Sequence, residues 1–190
     1  MAKLTKKIYR NPAPINVDAV IDSVQTLLSD KVDWLEASYG RAWKEYKTIN
    51  DKKLTRPMTY QGKAEYFDCL PNDTFQAFSF WFVNDRIQPR DYLPNVKVNY
   101  TYNVDLICWF NNKKTYNVDY PMIENHIQDF KKVLRYVSSI EIKSIYTSVE
   151  EVYRGFSISA IDEKAFTYPF GGFRINMDIT VLEIDEFGGC

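Results

Sequence analysis

The sequence has few of the residues that build phosphate-binding loops and multi-histidine metal sites. Its 190 residues include seven glycines, three cysteines and one histidine. Neither a Walker A loop nor a dinucleotide-binding glycine fingerprint occurs in it. Because His126 is the single imidazole, a site with several histidine ligands is excluded, and any Ser-His or Cys-His mechanism would have to use this residue. We therefore predict that the protein has no cofactor.

The cysteines, the charge and the lengths of the apolar runs exclude further classes of protein. Cys69, Cys108 and Cys190 are far apart and odd in number, without a CxxC pair, which is typical of a reducing cytosol. No stretch approaches the roughly 18 apolar residues of a membrane span, and no apolar segment follows the basic N-terminus as in a secretory signal. The net charge of −1 provides no overall basic field to attract nucleic acid. We expect a protein that is made in the cytoplasm and has no membrane partner.

The longest regular pattern in the chain is an alternation of apolar and polar residues over 96–110. One face would carry Val96, Val98, Tyr100, Tyr102, Val104, Leu106, Cys108 and Phe110, and the other Lys97, Asn99, Thr101, Asn103 and Asp105. At about 3.3 Å per residue this strand would span about 50 Å, whereas an ordinary strand spans about 17–20 Å. We expect it to extend beyond one small domain.

Two helices and several further strands are predicted around this strand. Apolar residues at helical spacing predict one helix from Asn16 to about Asp30 and a second from Pro121 to Val137. The other strands are expected at 43–49 and 54–60 as a hairpin, and at 64–70, 74–83, 140–146 and 173–181, with a loop over 84–95. Because the helices are too few for a doubly wound parallel sheet, we predict an α+β fold, with a mainly antiparallel sheet of long strands packed against two helices.

The domain organisation follows from the same pattern. Residues 1–15 contain Asn11-Pro12-Ala13-Pro14 and predict an extended N-terminal arm. Residues 16–185 form a single α+β domain without an internal repeat or a linker. Residues 186–190 are expected to be a flexible tail.

Self-association is the function that the pattern favours. The polar face of the long strand becomes apolar at Ile107 and Trp109, beside Phe110, so both sides of that end need cover from the second helix or from a neighbouring subunit. Its excess length favours a subunit, since an uncovered strand of this size would promote aggregation. Aromatic residues make up 16% of the chain, and Tyr and Trp are frequent in interfaces. Trp43 and Tyr46 are therefore additional interface candidates.

Two alternatives from other functional classes remain open. The segment 39–60 places Arg41, Lys44, Lys52 and Lys53 among aromatic residues, a mixture that would suit a module for single-stranded nucleic acid. Asp105 and Asp178 could converge from the polar faces of neighbouring strands, as in a metal-dependent nuclease. The remaining carboxylates are scattered, and we predict neither catalytic residues nor a metal.

Several short segments carry a resemblance to a known family. They are Tyr39-Gly40-Arg41-Ala42-Trp43, Arg56-Pro57, Gly62 to Tyr66 and Cys69-Leu70-Pro71-Asn72-Asp73. These segments resemble small structural proteins of tailed phages of gut Bacteroidetes, including crAss-like phages. The order of helices and strands over 16–184 is also similar to that of phage tail-terminator and neck-ring proteins.

The resemblance implies a tail-terminator-like fold and a non-enzymatic role in the virion. Such proteins form homo-oligomeric rings in the neck or at the head end of the tail, where they connect portal and tail proteins. DNA passes through the central channel without sequence-specific binding. Their extended hairpins and N-terminal arms commonly reach neighbouring subunits, which would suit residues 1–15 and 96–110, and the family has no catalytic residues.

Overall fold

The computed structural model describes residues 4–49, 51–63, 65–72, 74–91, 98–161 and 163–183. Within these ranges the strands are β1 (Lys7–Tyr9), β2 (Ala37–Ile49), β3 (Lys52–Tyr60), β4 (Tyr66–Asp68), β5 (Ala77–Asp91), β6 (Val98–Asn111), β7 (Ile140–Tyr146) and β8 (Phe170–Glu183). The helices are α1 (Val17–Lys31), α2 (Asn112–Thr115), α3 (Ile123–Leu134) and α4 (Val149–Val152), followed by short 3₁₀ turns at Ile158–Ala160 and Glu163–Phe166.

The eight strands form one mainly antiparallel sheet, which confirms the predicted α+β class. Its strand order is β4-β3-β2-β5-β6-β8-β7, with β1 beside β2. Among the described strands, the parallel pairs are β1 with β2 and β2 with β5. No helix in these ranges has both the length and the apolar character needed to cross a membrane.

The long strand lies at the centre of the sheet and is confirmed from residue 98 onward. β6 has 14 residues and pairs with β8 from Val98 opposite Glu183 to Asn111 opposite Phe170. At about 3.3 Å per residue it spans about 46 Å, roughly twice the 22 Å of the 15-residue α1. Residues 96 and 97 of the predicted strand lie outside the described ranges.

The loop predicted for residues 84–95 is wrong over 84–91, where β5 continues as a strand. Pro89 led to that prediction, but here it lies in the ladder opposite Tyr100. Among the described strands, β5 pairs with β6 alone beyond Phe82, and proline is tolerated in a strand that has a neighbour on one side only. Residues 92–95 lie outside the described ranges.

Helices α1 and α3 pack on one face of the sheet. Alternate residues of the three central strands meet them, including Trp81, Val104, Leu106, Cys108, Phe173, Ile175 and Met177, all of them buried. From the helix side, Val24, Leu28 and Phe130 are completely buried in the same cluster. These contacts form the core that was indicated by the apolar faces of the two predicted helices.

The segment 149–170 covers part of the opposite face. Val152, Tyr153 and Phe156 pack with Phe80, Ile107 and Trp109 in a second apolar cluster. The Trp109 indole stacks on Phe78 and Phe170, and its Nε1–H donates a hydrogen bond of 2.7 Å to the carbonyl of Ala165. The chain therefore supplies cover for both faces of its central strand.

This packing corrects the prediction that a second subunit covers Ile107, Trp109 and Phe110. Their exposed fractions are 0%, 2% and 0%, and Phe110 stacks on His126 with 3.7 Å between the ring centres. The prediction failed because an alternation of apolar residues shows that a strand needs cover, but not which part of the chain supplies it. The three side chains are core residues.

The N-terminal arm is also docked on its own domain. β1 runs parallel to β2, and Tyr9 stacks on Tyr39 with 4.6 Å between ring centres. Lys6 Nζ donates a hydrogen bond of 2.8 Å to the carbonyl of Val32 at the end of α1. The tail predicted for 186–190 lies outside the described ranges.

Replacing Trp109 with alanine should lower the free energy of unfolding by about 3–5 kcal/mol, because it leaves a large cavity in the second cluster. Trp43→Ala is the matched control, since Trp43 is 40% exposed and should cost about 1 kcal/mol or less. Chemical denaturation of both variants measures the difference. Equal losses would show that Trp109 is not a core residue.

His126 should make the stability of the fold depend on pH. Its Nδ1–H donates to the carbonyl of Met122 at 2.7 Å, so that Nε2 can accept from the Thr115 hydroxyl at 2.9 Å. Burial lowers the pKa of His126 from 6.5 to about 4. The unfolded chain therefore takes up a proton between these values while the folded chain does not, and stability falls as pH decreases from 6.5 to 4, by about 3 kcal/mol.

Urea unfolding at several pH values between 7 and 4 measures this dependence. His126→Gln removes the titrating ring, so its stability should change less over the same window. Any pH dependence of stability that remains in His126→Gln comes from the titration of carboxylates. Identical slopes for the two proteins would contradict the assignment.

Candidate functional site

The hairpin formed by β2 and β3 separates from the rest of the sheet. β2 pairs with β5 only as far as Ala42 opposite Phe82, whereas it pairs with β3 as far as Ile49 opposite Lys52. Beyond Ala42, β2 pairs with β3 alone within the described residues, and all the side chains from 43 to 48 are exposed. The other edge of β3 is held by the segment 149–170, since the Thr55 N–H donates to Ser157 Oγ and the Ser157 N–H donates to the Thr55 carbonyl, both at 2.9 Å. This confirms the predicted hairpin and shows that its β2 strand is the exposed one.

Cations lie over the aromatic rings on both faces of the hairpin. On the face towards α1, the Arg41 guanidinium lies 3.8 Å from the centre of the Trp43 ring, and its Nη1 lies 3.8 Å from Asp18 Oδ2. On the other face, Lys53 Nζ lies 4.0 Å from the centre of the Tyr46 ring. Such contacts hold exposed aromatic side chains in place and are each worth about 0.5–1 kcal/mol.

The strand register divides the four predicted nucleic-acid contacts between two faces. Directly opposed residues share a face and successive residues alternate, so Arg41 and Lys52 lie on one side and Lys44 and Lys53 on the other. Cations also lie over the Trp43 and Tyr46 rings on which bases would stack. A continuous basic and aromatic groove for a single strand is therefore not formed by these residues.

A cleft opens where the hairpin leaves β5. Its volume is about 610 Å³, and its walls include Arg41, Trp43, Lys44, Glu45, Tyr60 and Phe82. Lys44 Nζ lies 5.1 Å from the centre of the Phe82 ring across this gap. In the described part of the chain, no strand pairs with the β2 edge beyond Ala42 or with the β5 edge beyond Phe82. The cleft thus lies between two strand edges without a partner strand. We call this place, between β2 beyond Ala42 and β5 beyond Phe82, the fork.

A polar network lies on the second sheet face at the border of the covering segment 149–170. The Asp105 side chain is completely buried, and its carboxylate is ion-paired with Arg174. It accepts further hydrogen bonds of 2.8 Å from Asn84 and from Asn176. Arg174 also donates to the carbonyls of Glu151 and Arg154, both at 3.2 Å. The network therefore fastens the covering segment to the sheet.

The two carboxylates predicted for a metal-dependent nuclease are engaged in this network. Asn103 lies between them, donating to Asp178 at 3.1 Å and sharing Asn84 and Asn176 with Asp105. The described residues contain no group of three His, Cys, Asp or Glu side chains that could hold a metal ion. A cation at Asp105 would have to compete with the guanidinium of Arg174.

The two cysteines in the described ranges behave as small apolar residues. Burial raises the pKa of Cys69 to about 12 and raises the pKa of Cys108 well above its ordinary value. Neither thiol is therefore ionised near neutral pH, and a nucleophile needs the thiolate.

Comparison with known proteins identifies no family. No protein-family model matches the chain, and no curated protein matches it. The resemblance to phage neck proteins stays a prediction.

Asp105→Ala should destabilise the fold by about 3–5 kcal/mol, because it leaves the buried Arg174 without its counter-charge. Asp178→Ala is the control, since its side chain is 29% exposed and its partners Asn103 and Lys143 can turn to solvent, so that its loss should cost about 1 kcal/mol or less. Thermal unfolding of the two variants measures both effects. A small loss at Asp105 would contradict the structural role of the network.

Proposed function

We propose that the chain is a non-enzymatic structural protein of a tailed-phage virion, forming a ring in the neck or at the head end of the tail. The observation that carries this proposal is the exposed strand β2 of the β2–β3 hairpin, on which Tyr46 is 63% and Trp43 is 40% exposed. An exposed strand with fixed aromatic side chains suits contact with a neighbour. The resemblance of the segments around Tyr39–Trp43 and Cys69–Asp73 supplies the virion context.

In the proposed ring, the hairpin of each subunit contacts a different surface of the next subunit. Such heterologous contacts close into a ring when the rotation between subunits divides a full turn. Trp43 and Tyr46 remain the interface residues of this proposal, whereas Ile107, Trp109 and Phe110 are withdrawn because they are buried. Portal and tail proteins would contact the two ends of the ring.

The polar network supports a passive channel wall. Its partly exposed surface consists mainly of amides, Asn84, Asn103 and Asn176, beside an ion pair that is already neutralised. Lys44 and Arg154 lie at the border of this surface, while the amides between them carry no charge to hold phosphate groups, so DNA could slide past without specific binding. The protein would be made in the host cytoplasm and reside in the virion.

Light scattering of the purified chain tests the proposal. We expect a single assembly of several subunits that electron microscopy shows as a ring. The double variant Trp43→Ala/Tyr46→Ala should dissociate it while lowering the free energy of unfolding by only about 1 kcal/mol. Tyr136→Ala is the matched control, since Tyr136 is 87% exposed but lies beyond the end of α3, away from the hairpin.

Two results would contradict this proposal. If the chain stays monomeric at every accessible concentration, it does not form a ring by itself. Salt-dependent binding of single-stranded DNA that is lost in the Arg41, Lys44, Lys52 and Lys53 variants would favour the nucleic-acid module instead.

A further inference from the structure

Strand β7 forms one edge of the sheet. It has seven residues and pairs with β8 on one side, while no strand in the described part of the chain pairs with its other side. The strand at the other end of the strand order, β4, has only three residues. Short edge strands resist pairing with other chains, whereas a longer edge pairs readily with an extended segment.

The register shows which backbone groups β7 presents at this edge. The Thr180 N–H donates to the carbonyl of Ser139, one position before the first ladder pair, so this opposed pair is hydrogen-bonded. Hydrogen-bonded and non-bonded pairs alternate in an antiparallel ladder, so Ile140 and Ile142 direct their backbone groups away from β8. The Ile140 N–H donates to the carbonyl of Val137 in the preceding turn. An added strand would therefore bond the Ile140 carbonyl and both backbone groups of Ile142.

A groove of about 620 Å³ runs beside this edge, between β7 and the C-terminal half of α3. Ile140, Ile142 and Ile145 lie on the α3 side of β7 and are only partly buried against the core cluster under the helices. Ile145 shares this side because the register shifts between Ile142 and Ser144, which sets Ile145 opposite Ile175. A strand added to β7 would complete the cover of these three isoleucines.

The outer wall of the groove is basic. Lys131, Leu134 and Arg135 of α3 line it, and their spacing of three and four residues places them on one side of the helix. Neither Lys131 nor Arg135 has an ion-pair partner in the described part of the chain. On the other face of β7, Glu141 and Lys143 lie 2.7 Å apart and neutralise each other. The groove therefore combines an unpaired strand edge with uncompensated positive charge.

We propose that the groove between β7 and α3 binds an extended acidic segment of a partner protein by strand addition. The backbone of this segment would pair with Ile140 and Ile142, and an apolar side chain would cover the isoleucines. Acidic side chains two positions before and after it would reach Lys131 and Arg135, because alternate residues of a strand share a face.

A second copy of β7 is a poorer occupant of this edge. Its one acidic residue, Glu141, is already paired, and joining two such edges would bring together the basic side chains of both α3 helices. The groove lies at the opposite end of the sheet from the β2–β3 hairpin, so this proposal does not depend on the ring.

Peptide binding tests the charge requirement. The probe is the fluorescein-labelled peptide Thr-Glu-Thr-Ile-Thr-Glu-Thr, titrated with the full-length chain and followed by fluorescence anisotropy. We expect saturable binding that weakens with salt, and about a tenfold loss of affinity in Lys131→Glu/Arg135→Glu. Lys113→Glu/Lys114→Glu makes the same charge change on α2, outside the groove, and should leave the affinity unchanged.

A complementary peptide shows that the charge-reversed variant still folds. With lysine in place of both glutamates, the peptide should bind Lys131→Glu/Arg135→Glu more tightly than the unmodified chain. Failure of the acidic peptide to bind the unmodified chain, or equal binding to the unmodified chain and Lys131→Glu/Arg135→Glu, would overturn the proposal.

Hydrogen exchange distinguishes strand addition from attraction between charges alone. Exchange is read at single residues by mass spectrometry with electron-transfer fragmentation, with and without saturating acidic peptide. The Ile142 amide should become protected, whereas the Glu141 amide, which belongs to a hydrogen-bonded pair with β8, should not change. A peptide with proline in place of the two central threonines keeps its charges but loses backbone donors, and should bind at least tenfold more weakly.

Two results of the exchange experiment would overturn strand addition. The first is peptide binding that leaves the Ile142 amide unprotected. The second is an Ile142 amide that is already protected without peptide, because the edge would then be occupied by the chain itself or by a second copy. Both readouts concern β7 alone, so they neither require nor exclude the ring.

Discussion

The structure depends on the point at which β2 stops pairing with β5. Up to Ala42 and Phe82 the two strands share a ladder, and the apolar side chains on both faces are covered by the chain itself. Beyond that point no strand of the described residues pairs with either edge, and the β2 side chains from 43 to 48 are all exposed. The buried Gln25 amide helps to set the start of this divergence, because it donates to the carbonyls of Tyr9 and Ser38 and so fixes β1, β2 and α1 together.

The regular elements could be predicted from the sequence because local periodicity determines them. The alternation from Val98 to Phe110 and the helical stripes of α1 and α3 each report one buried face. The hairpin was also predictable, since the turn residues Asn50-Asp51-Lys52-Lys53 separate two strand patterns. The loop predicted over 84–91 was wrong because Pro89 locally favours a loop, whereas pairing with β6, a distant part of the chain, keeps this segment in a strand.

The functional surfaces could not be predicted in the same way, because they depend on contacts between distant segments. The cover over Ile107 and Trp109 comes from residues 149–170, whose apolar residues follow no single period. The fork exists because β2 pairs in parallel with β5 over a few residues only. A pairing of this kind produces no pattern in the local sequence. Asp105 was singled out as a polar-face carboxylate, but its burial with Arg174 follows from the packing of the whole sheet.

The central claim is that assembly takes place through the exposed strand β2 of the β2–β3 hairpin, and amide hydrogen exchange tests it most directly. Exchange is measured by mass spectrometry at concentrations below and above assembly. The account predicts that those amides of residues 43–49 that are not bonded to β3 become protected on assembly, while the amides of α3, already bonded within the helix, do not change. Equal exchange of residues 43–49 in the two states would contradict it.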